Sequence, residues 1–152
     1  MIIGIRHTGV VVKDLQAGIN FWTSIMGFRI VSSQLESGEY IDRLLGLNEV
    51  QVHTVKLLSQ DETMIELLHF LTHQDEKSCE LSPYSYGITH IALNVSNIEQ
   101  LLQRLESSGY LPINEVQVSP DKRVKVCYLR GFENIYLELV ETQEANREIK
   151  AS

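Results

Sequence analysis

Apolar and polar residues follow the same order twice along the chain. Each time, a short apolar strand with one histidine leads to an Asx residue and then to an amphipathic helix. The first strand is predicted over residues 3–12 and the second over 88–95, with His90 standing 83 residues after His7. Period-two alternation with β-branched residues is typical of half-buried strands. The pattern therefore predicts two units built on one plan.

Each predicted helix has a capping residue, an apolar stripe and a glycine stop. Asp14 is expected to cap the first helix, and Ser96 with Glu99 forms a capping-box pattern before the second. Gly27 and Gly109 are expected to end the two helices. The apolar stripes are Leu15, Ile19, Trp22 and Met26 in the first helix and Ile98, Leu101, Leu102 and Leu105 in the second. Both helices are therefore expected to pack on a sheet.

Three further strands are expected after each helix. Alternating residues place them at 28–31, 50–58 and 63–70 in the first unit and at 112–118, 124–129 and 135–140 in the second. Serines after the first of these strands suggest a loop over 32–38, and residues 41–47 suggest a short helix that stops near Gly46. Each unit thus has the order βαβββ, which predicts an α+β fold of two tandem βαβββ modules forming a cupped, partly open mixed sheet.

The modules are expected to share one domain, residues 1–142. The first module covers 3–71, a polar linker covers 72–86, and the second module covers 87–142. A charged tail, 143–152, is expected to fray.

Composition narrows the choice of partners. The chain is 43% hydrophobic and 22% charged and carries a net charge of −7, with Lys122–Lys125 as its one basic cluster, so nucleic acid is not an expected partner. No apolar run approaches the roughly 18 residues of a membrane span. Cys79 and Cys127 form neither a CxxC motif nor a disulfide framework. We expect a cytoplasmic protein with a small-molecule substrate.

Four residues at repeat-related positions are the candidates for chemistry. His7 and His90 lie on the first strands, and Glu66 and Glu138 lie on the last strands, 72 residues apart. If the first and last strands of each unit are neighbours, each unit contributes one imidazole and one carboxylate to a common face. Two nitrogen and two oxygen ligands suit one divalent ion, either Ni, Co, Zn, Mn or Fe. The sequence therefore predicts a metal site made of these four side chains.

A simpler interpretation stands beside this one for every single residue. A lone histidine on a strand is more often hydrogen-bonded in the core or at the surface than a metal ligand, and an edge-strand glutamate is usually solvated. His53, His69 and His73 have no counterpart in the repeat and are expected at the surface or in loops, with His69 facing away from Glu66. Cys127, in the middle of a strand, is expected to be a small core residue. The equivalence of the four candidate positions favours the metal site.

The first unit is eleven residues longer than the second between its second and last strands. Residues 39–47 lie within this longer stretch. We expect a loop or helix there that belongs to one unit alone and covers the site.

Several segments together resemble a known family. They are 7–15, with 21–22 and 27–28, in the first unit and 87–92 and 136–141 in the second. The chain is similar to the vicinal oxygen chelate superfamily, which includes glyoxalase I, methylmalonyl-CoA epimerase, extradiol dioxygenases, and bleomycin- and fosfomycin-resistance proteins. The resemblance covers residues 3–142 and implies the glyoxalase-like fold.

The resemblance also implies a role for each candidate residue. His7, Glu66, His90 and Glu138 match the four ligand positions of the family. A substrate would chelate the ion through two neighbouring oxygens, an enediolate would form on the metal, and Glu138 or Glu66 would move the proton. The implied activity is that of a metal-dependent lyase or isomerase of glyoxalase type.

Some positions depart from the glyoxalase I pattern. Glyoxalase I enzymes have glutamate at the position of Glu66, whereas epimerases commonly have glutamine at this position. Val11 replaces the arginine that glyoxalase I enzymes usually carry, and Phe70 replaces an asparagine. The turn expected before the last strand is replaced by residues 131–134. An epimerase acting on methylmalonyl-CoA is therefore the first alternative.

Two further alternatives come from other classes. A binding protein without turnover would hold a small molecule or antibiotic unchanged. A dioxygenase commonly uses two histidines and one carboxylate on Fe(II), which would leave Glu66 surplus. Since small members of the superfamily often build their sites with a second chain, a homodimer is expected.

Overall fold

The computed structural model describes residues 1–74, 82–88 and 90–143. The chain forms two compact units, Met1–Ser78 and Cys79–Ser152, and the boundary falls inside the predicted linker, 72–86. Cys79, the middle of that linker and most of the predicted tail lie outside the described residues. Within the described residues, no helix has the length and apolar character needed to cross a membrane.

The first unit is a four-stranded mixed sheet with two helices. Its elements are β1 (Thr8–Val11), α1 (Leu15–Asn20) with a π-helical turn (Phe21–Ile25), β2 (Arg29–Ser37), α2 (Glu39–Leu45), β3 (Gln51–Leu58) and β4 (Met64–Phe70). The strand order is β1-β4-β3-β2, in which β1 pairs with β4 in parallel and the other pairs are antiparallel. The first and last strands of the unit are therefore neighbours, which is the arrangement that the predicted metal site requires.

The second unit repeats this topology. Its elements are β5 (His90–Asn94), α3 (Ile98–Ser107), β6 (Gln117–Val118), β7 (Val124–Arg130), a short 3₁₀ turn (Phe132–Asn134) and β8 (Tyr136–Thr142). The order β5-β8-β7-β6 again places the first strand parallel to the last. The prediction of an α+β fold with two βαβββ units is confirmed.

Both sheets bury one face beneath a helix. In the first unit α1 packs on β4, and in the second α3 packs on β7 and β8. Fully or almost fully buried strand residues on these faces are Val55, Leu57, Ile65 and Leu67 in the first unit and Cys127, Leu129, Leu137 and Leu139 in the second. Because strand residues alternate between faces, Glu66 and Glu138 lie on the opposite faces, which we call the site faces.

The first helix begins where the sequence predicts. The side chain of Asp14 accepts a hydrogen bond from the Ala17 backbone N–H, and Gly27 ends the helical segment at a φ of +81°. Phe21 and Ile25 of the π-helical turn are buried beside Trp22, so the buried positions depart in part from the predicted stripe. Trp22 is fully buried, whereas Leu15, Ile19 and Met26 are only half-buried. A regular 3.6-residue period does not anticipate this departure.

The prediction of a loop over residues 32–38 is wrong except at the last residue, because residues 32–37 belong to a strand. β2 continues to Ser37 and pairs with β3 along its length, with an irregularity between Ile30 and Ser32. Most of its side chains are exposed, so the strand shows no apolar alternation. Backbone pairing with β3 stabilises this strand despite its serines.

The helix particular to the first unit is α2. It ends at Gly46, which adopts the left-handed conformation, close to the predicted stop. Its buried residue Ile41 packs with Val50 and Val52, and Leu68 and Phe70 lie against this cluster. Since Leu68 and Phe70 share a face with Glu66, α2 covers one end of the site face in this unit.

The second helix is capped by a different residue from the predicted one. Asn97 accepts a hydrogen bond from the Gln100 N–H, and Glu141 accepts one from the Ile98 N–H at 2.6 Å. The Ser96–Glu99 capping box is therefore wrong, and Glu99 instead pairs with Lys125. The Asx position is the one that the repeat shares, because Asp14 caps the first helix in the same way.

Three predicted strands are shorter than expected. In the first unit residues 1–7 lie outside any strand, because β1 begins to pair with β4 only at Thr8. In the second unit β5 begins at His90, and the strand expected over 112–118 contributes only β6 and an isolated bridge between Pro112 and Leu129. Strand length follows the partner backbone, which a single segment does not reveal.

The caps yield a direct test. Asn97→Ala is expected to lower the free energy of unfolding by about 1 kcal/mol, because it leaves the Gln100 N–H without its acceptor. Ser96→Ala, one residue away, is the matched control and is expected to change it by less than about 0.5 kcal/mol. Urea unfolding followed by circular dichroism measures both. A larger loss in the serine variant would contradict the assignment of the cap.

Candidate metal centre

In the first unit, a histidine and a glutamate meet on the site face. Gly9 of β1 stands beside Glu66 of β4, and His7 precedes Gly9 by two residues, so both side chains emerge on the same face. The His7 Nε2 atom lies 3.1 Å from Glu66 Oε2. The local fold brings together the first pair of predicted ligands.

The second unit has the same arrangement. Ala92 of β5 stands beside Glu138 of β8, and His90 precedes Ala92 by two residues. The His90 Nε2 atom lies 3.1 Å from Glu138 Oε2. The two units thus place histidine and glutamate at the same register and at the same separation.

The side chains of Glu66 and Glu138 are mostly buried. The side chain of Glu66 is 13% exposed and that of Glu138 is 22% exposed. A carboxylate in such surroundings is stable only with cationic or hydrogen-bonding partners. Each glutamate therefore has a physical need for the groups that surround it.

Lys56 is a neighbour of the site that the sequence analysis missed. It stands opposite Glu66 on β3, and its Nζ atom lies 3.5 Å from Glu66 Oε1. The lysine thus contacts one carboxylate oxygen and His7 contacts the other. The turn between β3 and β4 fixes this register, so pairing the two predicted strands across 59–62 would have revealed it.

Tyr128 is the corresponding neighbour in the second unit and was also missed. It stands opposite Glu138 on β7, and its hydroxyl lies 3.3 Å from His90 Nε2. The tyrosine and histidine rings also meet edge to face, with centroids 5.3 Å apart. Burial raises the pKa of Tyr128, and its hydrogen bond with Glu138 raises it further. The phenol therefore stays protonated and neutral at physiological pH.

A small open cleft adjoins the second pair. Its volume is about 120 Å³, and it is lined by Pro83, His90, Tyr128 and Tyr136. The Tyr136 hydroxyl accepts a hydrogen bond of 2.7 Å from Arg130, whose guanidinium also lies 4.5 Å from the centre of the tyrosine ring. The cleft gives a small molecule access to His90.

The remaining histidines and the buried cysteine lie away from these pairs. His69 faces away from Glu66, and its Nδ1 donates a hydrogen bond to the Val12 carbonyl. His53 stands opposite His69 on β3, and His73 is exposed beyond β4. Cys127 is buried, and burial raises the pKa of its thiol, which matches the predicted core role.

The donors fit a divalent ion. Ligand atoms about 2.1 Å from a shared ion, in adjacent positions around it, lie about 3 Å apart, and both His–Glu pairs have this separation. The Nδ1 atom of His7 is buried without a partner among the described residues, so Nε2 makes the contact that orients this ring. No three His, Cys, Asp or Glu side chains gather as a possible metal site within the described part of the chain. Each unit by itself offers two ligands.

Comparison with known proteins gives a family match over most of the chain. Residues 4–128 match the model of the Glyoxalase/Bleomycin resistance protein/Dioxygenase superfamily. This stretch includes His7, Glu66 and His90 and ends before Glu138. The fourth position therefore depends on the strand register rather than on the family match.

One curated relative is the lactoylglutathione lyase of Schizosaccharomyces pombe. It is 26% identical over 147 residues, which cover 92% of this chain and 48% of the relative. The chain thus spans about half the length of this enzyme.

Solved structures show the same architecture. A glyoxalase family protein from Bacillus cereus matches with a TM-score of 0.83 and 25% identity, covering 93% of this chain and 95% of that one. The fosfomycin resistance protein FosX of Listeria monocytogenes, solved with Mn(II) and sulfate, matches with a TM-score of 0.61 and 19% identity, covering 95% and 96%. At 19% identity, the similarity to FosX is a similarity of fold.

Proposed function

Because the chain belongs to the Glyoxalase/Bleomycin resistance protein/Dioxygenase superfamily, we propose that it is a metal-dependent lyase or isomerase of glyoxalase type. Its substrate is a small molecule with two neighbouring oxygen atoms. One observation carries the proposal, namely the His–Glu pair that recurs at 3.1 Å and in the same register in both units. The recurrence of this pair on the site face of both units supports a shared chemical role for its members.

The proposed ligands are the four repeat-related side chains. His7 and His90 supply nitrogen, and Glu66 and Glu138 supply oxygen, a mixture that suits Ni, Co, Zn, Mn or Fe(II). The presence of Mn(II) in the structure of FosX supports a divalent ion. When bound, such an ion supplies a Lewis acid that stabilises the negative charge developing on the oxygens of the substrate.

Proton transfer falls to a glutamate. Glu138 is the preferred base, because its neighbour Tyr128 is a neutral phenol that does not hold the carboxylate by charge. Glu66 is the second candidate and is paired with the Lys56 ammonium. A carboxylate must approach the carbon acid within hydrogen-bonding distance to remove its proton, and a glutamate beside a neutral phenol moves more easily than one beside an ammonium.

The leading reaction is isomerisation of a hemithioacetal formed from glutathione and an oxoaldehyde. The similarity to the S. pombe lactoylglutathione lyase supports this choice. The glutamate at position 66 also supports this choice, since glyoxalase I enzymes have glutamate at the corresponding position. The proton would be removed beside one oxygen and returned to the neighbouring carbon.

Epimerisation of methylmalonyl-CoA is the second candidate. Phe70, which replaces the glyoxalase I asparagine, packs against the apolar cluster beneath α2, and Val11 is 63% exposed where an arginine is usual. These apolar groups do not offer the polar contacts that a glutathione peptide needs. A binding protein without turnover and a dioxygenase remain the alternatives outside this chemistry.

The metal site can be tested by measuring the metal content of the protein. Protein purified without chelator is expected to contain close to one divalent ion per chain, and His7→Ala or Glu138→Ala is expected to abolish this content by removing one of four ligands. His53→Ala, a histidine variant on the opposite face, is the control and should keep the ion. Mass spectrometry of the metals measures all four proteins. Full occupancy in either ligand variant would exclude that residue as a ligand.

The substrate is tested by two assays on the metal-loaded protein. We expect isomerisation of the methylglyoxal–glutathione adduct, followed by its thioester absorbance, and loss of at least about 100-fold of the rate in Glu138→Gln, which cannot accept the proton. Exchange of the α-proton of methylmalonyl-CoA with deuterated water, followed by NMR, is the competing assay. Exchange there without isomerisation would favour the epimerase, and binding of either compound without turnover would favour the binding protein.

Assembly can also be tested, since we propose a homodimer. β1 lies at the edge of its sheet and its Val11 is 63% exposed, while Ile3 and Ile5 in the segment before this strand are 103% and 93% exposed. An open strand edge flanked by apolar side chains favours pairing with another strand. Light scattering after size exclusion should give twice the chain mass of 17.3 kDa, and Ile5→Asp should shift the protein towards the monomer. A wild-type monomer at all concentrations would contradict the dimer.

A further inference from the structure

The two units differ at one position beside the predicted ligands. Lys56 stands opposite Glu66 on β3, and Tyr128 stands opposite Glu138 on β7. These positions are equivalent, because each lies on the third strand of its unit and in register with the glutamate. The repeat therefore keeps the ligands and changes the group beside each carboxylate.

Lys56 and His7 divide the two oxygens of Glu66 between them. The lysine Nζ lies 3.5 Å from Oε1, and the histidine Nε2 lies 3.1 Å from Oε2. The lysine side chain is 32% exposed and the glutamate 13%, so the contact is partly shielded from water. Screening is weaker there than at an open surface, and the ammonium holds Oε1 in place.

A free carboxylate can bind a cation with one oxygen or with both. The second mode occupies two adjacent positions around the ion. A substrate that chelates through two oxygens needs two positions as well, so a bidentate glutamate competes with it. An enzyme of the proposed kind gains from a group that prevents the second mode.

We propose that Lys56 is a positioning residue that reserves Oε1 of Glu66, so that Glu66 offers the ion one oxygen and leaves the adjacent position to the substrate. This inference rests on the proposed function. At Glu138 the equivalent group is the neutral hydroxyl of Tyr128, which makes a hydrogen bond without bringing a positive charge. Glu66 is thereby the ligand that an ammonium holds, and Glu138, with no lysine opposite it, is the one we assign to proton transfer.

The test uses Mn²⁺ alone as the probe. Lys56→Met removes the ammonium at similar side-chain length, and free Mn²⁺ measured by electron paramagnetic resonance gives the affinity. We expect about tenfold tighter binding, because the ion no longer faces a positive charge and gains a second oxygen. Water-proton relaxation by the bound Mn²⁺ should fall by the contribution of about one exchangeable water, because Oε1 takes its position.

Two further variants complete the design. Lys56→Arg keeps the charge and is expected to restore affinity and relaxation to within about twofold of the wild type. Lys125→Met makes the same change on the equivalent strand of the second unit, where Lys125 pairs with Glu99 and Glu141 and is 27% exposed, away from the site face. This control should leave both quantities unchanged. Lys56→Gln replaces the Met variant if the latter does not fold.

The outcomes separate this inference from the proposed function. Unchanged or weaker Mn²⁺ binding in Lys56→Met overturns the role of Lys56. Tighter binding with unchanged relaxation also overturns it, because charge alone would then account for the effect. Wild-type protein that binds no divalent ion overturns the proposed function and this inference together.

Discussion

The parallel pairing of the first and last strands in each unit is the contact on which the site depends. It sets Gly9 beside Glu66 and Ala92 beside Glu138, and in both places the histidine comes two residues earlier in the chain. A slip of one residue would turn a histidine to the opposite face of its sheet. Helices α1 and α3 bury the other face and hold this register, so the core and the site depend on the same strand pairs.

The two site faces carry the same predicted ligands but differ in the group that stands beside each carboxylate. Repetition supplies the ligands, since each unit contributes an imidazole and a carboxylate at 3.1 Å. An ammonium and a phenol stand at equivalent positions beside the two carboxylates. We propose that this difference gives Glu66 and Glu138 different roles. Lys56 pairs with Glu66 by charge, whereas the neutral hydroxyl of Tyr128 contacts His90 and is hydrogen-bonded to Glu138. A duplicated fold can therefore give two chemically similar glutamates unequal roles.

Helix α2 belongs to the first unit only and covers part of its site face. Ile41 brings Val52 and Phe70 into an apolar cluster on the face that carries Glu66. In the second unit, the cleft beside His90 is lined mainly by aromatic rings. Substrate choice within the superfamily is therefore expected to depend on these apolar and aromatic surroundings, while the ligands themselves carry the shared chemistry.

The sequence by itself determined the repeat, the order of elements, the Asp14 cap and the four candidate ligands, because these follow from local periodicity and from spacing between matched positions. Only the tertiary structure decided the Asn97 cap, the length of β2, the end of the predicted strand at 112–118 and the positions of Lys56 and Tyr128 opposite the glutamates. Strand ends and cross-strand neighbours depend on the backbone that pairs with them, and this partner is distant in sequence. A lysine or tyrosine in one strand therefore acquires its role only when the pairing register places a carboxylate opposite.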